Sequence, residues 1–254
     1  VVVHLYGMPA KMDEVLEIGH RYGIPVVEDA AEALGSEYHG HKCGTLGNFG
    51  ALSFNGNKII TTSGGGALIC HTEKEASRVR FLATQARENR PYYYHESLGY
   101  NYRLSNVSAA IGCAQIEELA ERVARRRKIH SLYKTGLSDL DGVTVQDNPS
   151  ENVSSNFWLS TILIDKDLTG KTPDEVRLAL LDKGIETRLL WRPMNMQPIY
   201  ADCPYYSEST QNGDTSGVGE WLFDRGLCLP SGSSLTDEEI ATVINALREV
   251  LRGK

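Results

Sequence analysis

The sequence predicts an α/β fold, with a mainly parallel sheet in a large domain and a smaller α/β domain after it. The first observation is the opening of the chain, where an apolar run at 1–5, a helical apolar spacing at 11–22 and an apolar run at 24–29 make a β-α-β unit. The second is the composition, since 254 residues that are 41% hydrophobic and 23% charged suit a globular chain of one or two domains. The third is a change of pattern after Pro149, which indicates a large domain at 1–130 and a small one at 131–254.

Turn and cap residues separate the elements along both domains. Gly23 ends the first helix, and Ser105 is a natural N-cap for a long helical pattern that runs towards Leu137 as a spine joining the domains. The remaining strands are expected at 50–54, 67–71, 157–164 and 186–190, and the remaining helices at 73–86, 173–183 and 237–252.

Charge and cysteine content narrow the classes of function. A formal net charge of -7 gives no electrostatic reason to expect nucleic acid or an anionic membrane as a partner. No apolar run reaches the roughly 18 to 20 residues that a membrane span needs. The 5 cysteines are scattered without zinc spacing, so we expect reduced thiols in a cytoplasmic protein and no metal site.

Lys58 has the most informative surroundings. Most lysines are solvated surface charges, but this one follows the apolar run 51–54 and precedes Ile59, Ile60 and three consecutive glycines. That context predicts an amine held near a strand end inside the molecule. A lysine that is partly removed from water can act as a nucleophile and form a Schiff base with an aldehyde.

Four polar residues are candidates for holding a ligand beside that amine. Asp29 ends a buried strand, so its carboxylate either is the N-cap of a helix that begins at Ala30 or keeps a ring nitrogen protonated, as in pyridoxal phosphate sites. Ser53 and nearby backbone amides suit a phosphate, although a hydroxyl bonded within its own strand is an equal alternative. Asn101 and Arg103, which have no evident structural role, are candidates for anion contacts.

The glycine-rich segments do not match nucleotide-binding motifs. Gly44, Gly47 and Gly50 do not form GxGxxG, and the glycines at 64–66 lack the following Lys and Ser or Thr of a P-loop. An NAD-dependent Rossmann enzyme therefore keeps only the β-α-β order in its favour.

Five stretches form a pattern by their order and spacing. They are 28–35 (EDAAEALG), 53–66 (SFNGNKIITTSGGG), 99–103 (GYNYR), 187–194 (TRLLWRPM) and 225–232 (RGLCLPSG). As a set they resemble the DegT/DnrJ/EryC1/StrS family of pyridoxal-phosphate-dependent nucleotide-sugar aminotransferases, most closely members that aminate UDP-4-keto-6-deoxy-N-acetylhexosamines. The resemblance covers nearly the whole chain and implies fold type I, the aspartate aminotransferase-like fold.

The resemblance also implies roles for matching residues. Lys58 would form the Schiff base, Asp29 would pair with the pyridinium nitrogen and Ser53 would bind the phosphate. Glu32 stands where the family commonly has a Gln that contacts the ring hydroxyl. Asn101 would reach the cofactor phosphate of the neighbouring subunit, so a homodimer with shared active sites is implied. The candidate substrate contacts in these stretches are Asn57, Arg103 and Trp191.

The implied reaction is a ping-pong transamination. An amino donor, expected to be glutamate, passes its amine to pyridoxal phosphate, a nucleotide-linked keto sugar accepts it, and Lys58 moves the proton. Family members also carry a preceding segment with further strands, phosphate-binding amides and an aromatic that stacks on the cofactor, and we expect it to be missing before Val1.

Two alternatives share the scaffold. A pyridoxamine-phosphate-dependent sugar dehydratase would be similar, but such relatives carry His where Lys58 stands. A non-catalytic nucleotide-sugar-binding or regulatory protein would differ in not retaining the cofactor. Polysaccharide, antibiotic and glycan biosynthesis all remain open as the setting.

Overall fold

A computed structural model describes residues 1–207 and 217–252. The strands are β1 (Val2–Val3), β2 (Val27–Asp29), β3 (Glu37–Tyr38), β4 (His41–Lys42), β5 (Phe49–Ser53), β6 (Gly66–Cys70), β7 (Val143–Val145), β8 (Val153–Ser154), β9 (Ser160–Ile164), β10 (Arg188–Leu189) and β11 (Gly226–Leu229). The α-helices are α1 (Met12–Tyr22), α2 (Glu73–Ala83), α3 (Asn106–Glu117), α4 (Leu119–Gly136), α5 (Lys166–Thr169), α6 (Pro173–Leu181), α7 (Val218–Arg225) and α8 (Asp237–Arg252). Single 3₁₀ turns lie at Leu5–Gly7, Met194–Met196 and Pro198–Tyr200.

The chain divides into two compact units that are each discontinuous in sequence. The first comprises Val1–Arg125 and Asn148–Trp158, and the second comprises Arg126–Asp147 and Leu159–Lys254. One boundary falls within α4, and the segment that follows β7 belongs to the first unit.

The main sheet of the first unit has the strand order β1-β2-β5-β6. The first three strands run parallel, and β6 returns antiparallel to β5. In the register, Asp29 lies between Val3 and Ala51 on its two neighbours. The carboxyl ends of three parallel strands therefore meet at one edge, which is where open α/β sheets bind ligands.

Helix α1 makes the crossover between β1 and β2, as its apolar spacing predicts. Gly23 ends it in the left-handed region with φ 64°. Gly19 lets the helix approach the sheet closely, because a Cβ there would lie 2.7 Å from the Val26 side chain. Met12, at the first turn, is completely buried and packs in a cluster with Val26 and Tyr38.

The first strand is shorter than the expected run at 1–5. Pairing stops at Val3, and Leu5–Gly7 form a 3₁₀ turn in which Tyr6 has φ 57°. The expectation was wrong because the polar His4 is the fully buried residue, hydrogen-bonded to Glu28, while Val3 is half exposed.

Two later elements also differ from expectation. The long helix from Ser105 is two helices, since the backbone departs from the α ladder at Glu118, whose amide bonds to the Gln115 carbonyl three residues back. Ser105 nevertheless caps α3 as predicted, accepting from the Ser108 amide at 3.1 Å. The strand expected at 157–164 is β9 alone, because Phe157 has φ 47° and cannot extend it.

The second unit is an antiparallel sheet of order β10-β11-β9-β7 packed on helices. Helix α8 has the bounds that its pattern predicts, and it places Ile240, Val243 and Leu247 in the core with Leu180 of α6. The other buried residues of this core include Ile129, Tyr133, Leu137, Ile162, Ile164 and Leu227. In the part of the chain that the structure describes, no helix has the length and apolarity to cross a membrane.

Candidate active site

Lys58 lies in a tight turn just beyond the carboxyl end of β5. Its amide donates to the Asn55 carbonyl at 3.1 Å, and the following Ile59 and Ile60 are buried and anchor the turn. The Lys58 side chain is 12% exposed. The amine therefore lies inside the first unit, as its sequence context predicts.

Two groups of opposite character flank the Lys58 ammonium. Glu32 Oε1 lies 3.6 Å from Nζ, and the centroid of the Trp158 ring lies 4.4 Å from it. The Trp158 ring is held in place because its indole N–H donates to the Asn57 carbonyl at 2.9 Å. A carboxylate and an aromatic face both favour a cation, so the pocket accommodates a charged amine at low exposure.

The Glu32 carboxylate is buried and weakly satisfied. Its Oε2 accepts one hydrogen bond from the Tyr6 amide at 2.6 Å, which the left-handed φ of Tyr6 aims at the site. Burial raises the pKa of Glu32 above its ordinary value, although the Tyr6 amide and the Lys58 charge favour the ionised form.

Asn156 ties these groups together from a distant part of the chain. Its fully buried amide nitrogen donates to the carbonyls of Glu32 and Leu34 at 2.8 and 2.9 Å, and its oxygen accepts from the Trp158 amide at 2.8 Å. Gly7 closes the arrangement, because with φ 88° its missing Cβ would lie 1.9 Å from Asn156 Oδ1. One uncharged side chain thus holds both walls of the lysine pocket.

A second buried carboxylate, Glu28, lies one residue before Asp29 on the same strand. Its two oxygens accept from His4 Nε2 at 2.9 Å and from the amides of Gly44, Leu46 and Gly47 at 2.6 to 2.7 Å. Burial alone raises the pKa of Glu28, but these hydrogen bonds outweigh it and hold the pKa below its ordinary value.

His4 completes the contact between β1 and β2. Its Nδ1 accepts from the Ala10 amide at 3.0 Å, so Nε2 carries the proton that faces Glu28. The hydrogen bonds of Glu28 therefore connect β2 to the residue that follows β1 and to the loop that precedes β5.

Asp29 and Ser53 lie at the carboxyl ends of adjacent strands. Asp29 is half-buried, and its Oδ1 accepts from the Ala31 amide at 3.1 Å. Residues 30–35 form turns, so this bond caps a turn rather than a helix. Among the residues that the structure describes, Ser53 Oγ accepts only a long bond from the Asn55 amide, at 3.4 Å. Both side chains can thus form further hydrogen bonds at the sheet edge where the carboxyl ends of β2 and β5 meet.

The remaining candidates are exposed. Asn101 pairs through its backbone with Thr84, and its side chain faces solvent, as does that of Arg103. Asn57 contributes its carbonyl to Trp158 while its own side chain is exposed. Trp191, 52% exposed, belongs to the second unit. The structure thus places Glu32 beside Lys58, and Asp29 and Ser53 at the ends of adjacent strands, while the roles of these four exposed residues stay predictions.

Sequence reasoning missed several residues of the site. Trp158 and Asn156 lie about a hundred residues from Lys58 in the sequence and carry no local signal of their proximity. Glu28 had a signal, since a carboxylate inside an apolar β run must be paired when it is buried. Tyr6 contributes a backbone amide, which its residue type does not reveal.

Comparison with known proteins places this chain in a family. Residues 1–248 match the DegT/DnrJ/EryC1/StrS aminotransferase family. EpsN of Bacillus subtilis (strain 168), provisionally named a pyridoxal phosphate-dependent aminotransferase, is 48% identical over 97% of this chain and 62% of its own length. GDP-perosamine synthase of Caulobacter vibrioides is 36% identical over 98% of this chain and 65% of its own.

A solved structure gives the same result for the fold. The aminotransferase TlmJ from Streptoalloteichus hindustanus has a TM-score of 0.86 and 30% identity, over 99% of this chain and 65% of that one. The expected fold class, α/β of fold type I, is confirmed. The chain spans less than two thirds of the length of these relatives.

Proposed function

The chain belongs to the DegT/DnrJ/EryC1/StrS aminotransferase family, and from that premise we propose that it carries the lysine-bearing part of a pyridoxal-phosphate-dependent aminotransferase that acts on a nucleotide-linked keto sugar. The observation that supports this most strongly is the Lys58 amine, 12% exposed, beside the edge where β2 and β5 end in Asp29 and Ser53.

The residues present fit the cofactor. Pyridoxal phosphate needs an amine for its aldehyde, a carboxylate for its ring nitrogen and donors for its phosphate. Lys58 supplies the amine, Asp29 supplies a carboxylate at the end of β2, and Ser53 supplies a hydroxyl at the end of β5 whose hydrogen bond from the Asn55 amide is long. The exposed turn at Asn55 and Gly56 adds backbone amides near the same edge.

When bound, the cofactor supplies an aldehyde that accepts an amine and a pyridinium ring that withdraws electrons from the neighbouring carbon. In this assignment Asp29 keeps the proton on the ring nitrogen, and Ser53 binds and orients the phosphate. Lys58 Nζ carries the proton between donor carbon and cofactor, as the amine positioned at the ligand edge. Trp158, 3% exposed, shields one side of that amine from water.

The substrates follow from the family and from the relatives' names. A relative at 36% identity is named for a GDP-linked sugar, which supports a nucleotide sugar as acceptor. Within that class we assign UDP-4-keto-6-deoxy-N-acetylhexosamine as acceptor and glutamate as donor. The site residues assigned to the sugar are Asn57, Arg103 and Trp191. Incubating cofactor-loaded chain with glutamate and measuring 2-oxoglutarate checks the donor, and parallel reactions with UDP-, GDP- and TDP-linked keto sugars check the acceptor.

A homodimer with shared sites agrees with the surface of the first unit. Tyr93, Leu98, Tyr102 and Val107 are each at least 74% exposed, and Asn101 lies among them. An apolar surface of this kind suits a second copy of the chain as partner. Sedimentation equilibrium measures this, and a monomer at micromolar concentration would contradict it. The five cysteines are free thiols, which suits a reducing cytoplasm.

The test of the function is attachment of the cofactor. The chain is incubated with pyridoxal phosphate, reduced with borohydride and mapped by peptide mass spectrometry. We expect a visible absorption band and a reduced adduct on Lys58, both abolished in Lys58→Ala and unchanged in Lys42→Ala, an exposed lysine of the same unit. An adduct spread over surface lysines, or equal labelling of Lys58→Ala, would contradict the assignment.

A further inference from the structure

Glu32 is a buried carboxylate with few hydrogen-bond donors around it, a feature that the proposed reaction does not by itself require. The carboxylate is 6% exposed, and within residues 1–207 and 217–252 its hydrogen bond of ordinary length comes from the Tyr6 amide. Its other oxygen faces the Lys58 ammonium at 3.6 Å, within ion-pair distance. Two opposite charges are thus buried beside each other, each with few other polar contacts.

Burial makes the two protonation states depend on each other. An isolated buried carboxylate is costly, and so is an isolated buried ammonium, but the pair offsets both costs. When the Lys58 amine loses its proton, Glu32 remains as a buried charge with one amide donor. A buried carboxylate in that position takes up a proton, because removal from water destabilises the charged form much more than the neutral acid.

We propose that Glu32 and Lys58 share one proton, so that Glu32 Oε1 takes it from Lys58 Nζ when the amine becomes a neutral nucleophile. The exchange is balanced, since carboxylate and ammonium become carboxylic acid and amine with no other reactant. The inference rests on the proposed function in making Lys58 the nucleophile. Glu32 then ends as a neutral hydrogen-bond donor, which a glutamine at this position would be from the start.

The groups around the pair support a local exchange. Asp29 is the other carboxylate that acts on Glu32, and its negative charge also favours the protonated form of Glu32. Lys58 Nζ also contacts the neutral Trp158 ring, which stabilises the ammonium but cannot accept its proton. In the described part of the chain, Glu32 Oε1 is therefore the carboxylate oxygen within ion-pair distance of this amine.

The first experiment measures Lys58 alone, in the cofactor-free chain. Acetic anhydride labels neutral amines, so the labelling rate of Lys58 against pH, read by mass spectrometry, gives the pH at which half of the amine is neutral. In Glu32→Gln we expect that midpoint to fall by about one pH unit or more, a tenfold change in the ratio of amine to ammonium, with the same rate at high pH. Glu17→Gln, an exposed carboxylate paired with Arg21, should leave it unchanged.

A purely structural role for Glu32 would change the limiting rate at high pH and leave the midpoint in place, which would overturn the proposal. The second experiment keeps Glu32 and removes its partner. In Lys58→Met at neutral pH we expect a carboxylic acid band in the infrared difference spectrum, absent from the Lys58→Met, Glu32→Gln double variant. Absence of that band from the single variant would also overturn it. Neither readout uses pyridoxal phosphate, so a chain that fails to bind the cofactor contradicts the proposed function without deciding this exchange.

Discussion

Glu28 and Glu32 are four residues apart and almost equally buried, yet the protein treats their charges in opposite ways. Glu28 accepts four hydrogen bonds, one from His4 and three from backbone amides, and its pKa lies below the ordinary value. Within residues 1–207 and 217–252, Glu32 accepts one hydrogen bond, from the Tyr6 amide, and faces Lys58 at 3.6 Å; its pKa lies above the ordinary value.

The contrast shows that burial alone does not decide the state of a carboxylate. A carboxylate with its lone pairs filled by N–H donors is stable as an anion inside the protein and serves as a structural clamp. A carboxylate with one donor and a titratable neighbour keeps its proton affinity and can take part in chemistry. Glu28 is of the first kind and Glu32 is of the second.

The largest expected effect comes from making the same isosteric change at both positions. In Glu28→Gln either orientation of the amide turns its NH₂ group towards two N–H donors, so we expect a loss of about 3 kcal/mol in the free energy of unfolding. In Glu32→Gln the oxygen can still accept from the Tyr6 amide, so we expect a loss below about 1 kcal/mol. Urea unfolding followed by circular dichroism measures both. Equal losses would remove the distinction between the two carboxylates.

The second prediction concerns Asn156, which we expect to stabilise the turn that contains Glu32 more than the Glu32 carboxylate does. Asn156→Ala removes the donor to the Glu32 and Leu34 carbonyls and the acceptor of the Trp158 amide, so we expect a loss of about 2 kcal/mol. The same denaturation experiment applies, with the exposed Asn152→Ala as the matched control. An unchanged stability in Asn156→Ala would show that the turn does not depend on this amide.

The smallest expected effect is on the pH dependence of folding stability, to which Glu28 and Glu32 contribute with opposite signs. The folded-state pKa of Glu28 is depressed, so its stabilisation is present above the ordinary value of 4.5 and is lost as pH falls through the lower folded pKa. The folded-state pKa of Glu32 is raised, so the folded protein binds a proton more tightly there, and stability falls as pH rises from 4.5 towards the folded pKa.

Thermal melting of the wild-type protein and of Glu32→Gln, from below pH 4 to pH 7, measures these slopes. In Glu32→Gln we expect the melting temperature no longer to fall as pH increases above 4.5, and still to increase with pH below 4.5. The control Glu17→Gln should behave as the wild type. A decline of the same size in Glu32→Gln would assign it to another group.

The success of the sequence analysis depended on how local each feature is. Helix α8 was expected with its observed bounds and α1 within one residue, because apolar periodicity and the Gly23 cap of α1 lie within the elements themselves. The predictions for the first strand and for the strand at 157–164 were wrong, because His4 is buried against the distant Glu28 and Phe157 has a left-handed backbone that its residue type does not reveal.

The site divides in the same way. The placement of Lys58 inside the protein was predictable, because the isoleucines and glycines that follow it are adjacent in sequence. The roles of Asp29, Ser53 and Asn101 stay predictions from the family resemblance. Trp158 was not predictable, since it reaches Lys58 from a segment that follows a whole stretch of the second unit.

The alternation of strands and helices, the strand end that carries Asp29 and the lysine that follows the strand of Ser53 were all predictable from the sequence, because each depends on neighbours within a few residues. Which buried carboxylate has its hydrogen bonds filled, and which one faces Lys58, depends on contacts that form only when the chain folds. The physical reason is that a carboxylate's state depends on the donors around it, and those of Glu28 and Glu32 come from backbone amides and side chains that folding brings together from separate parts of the chain.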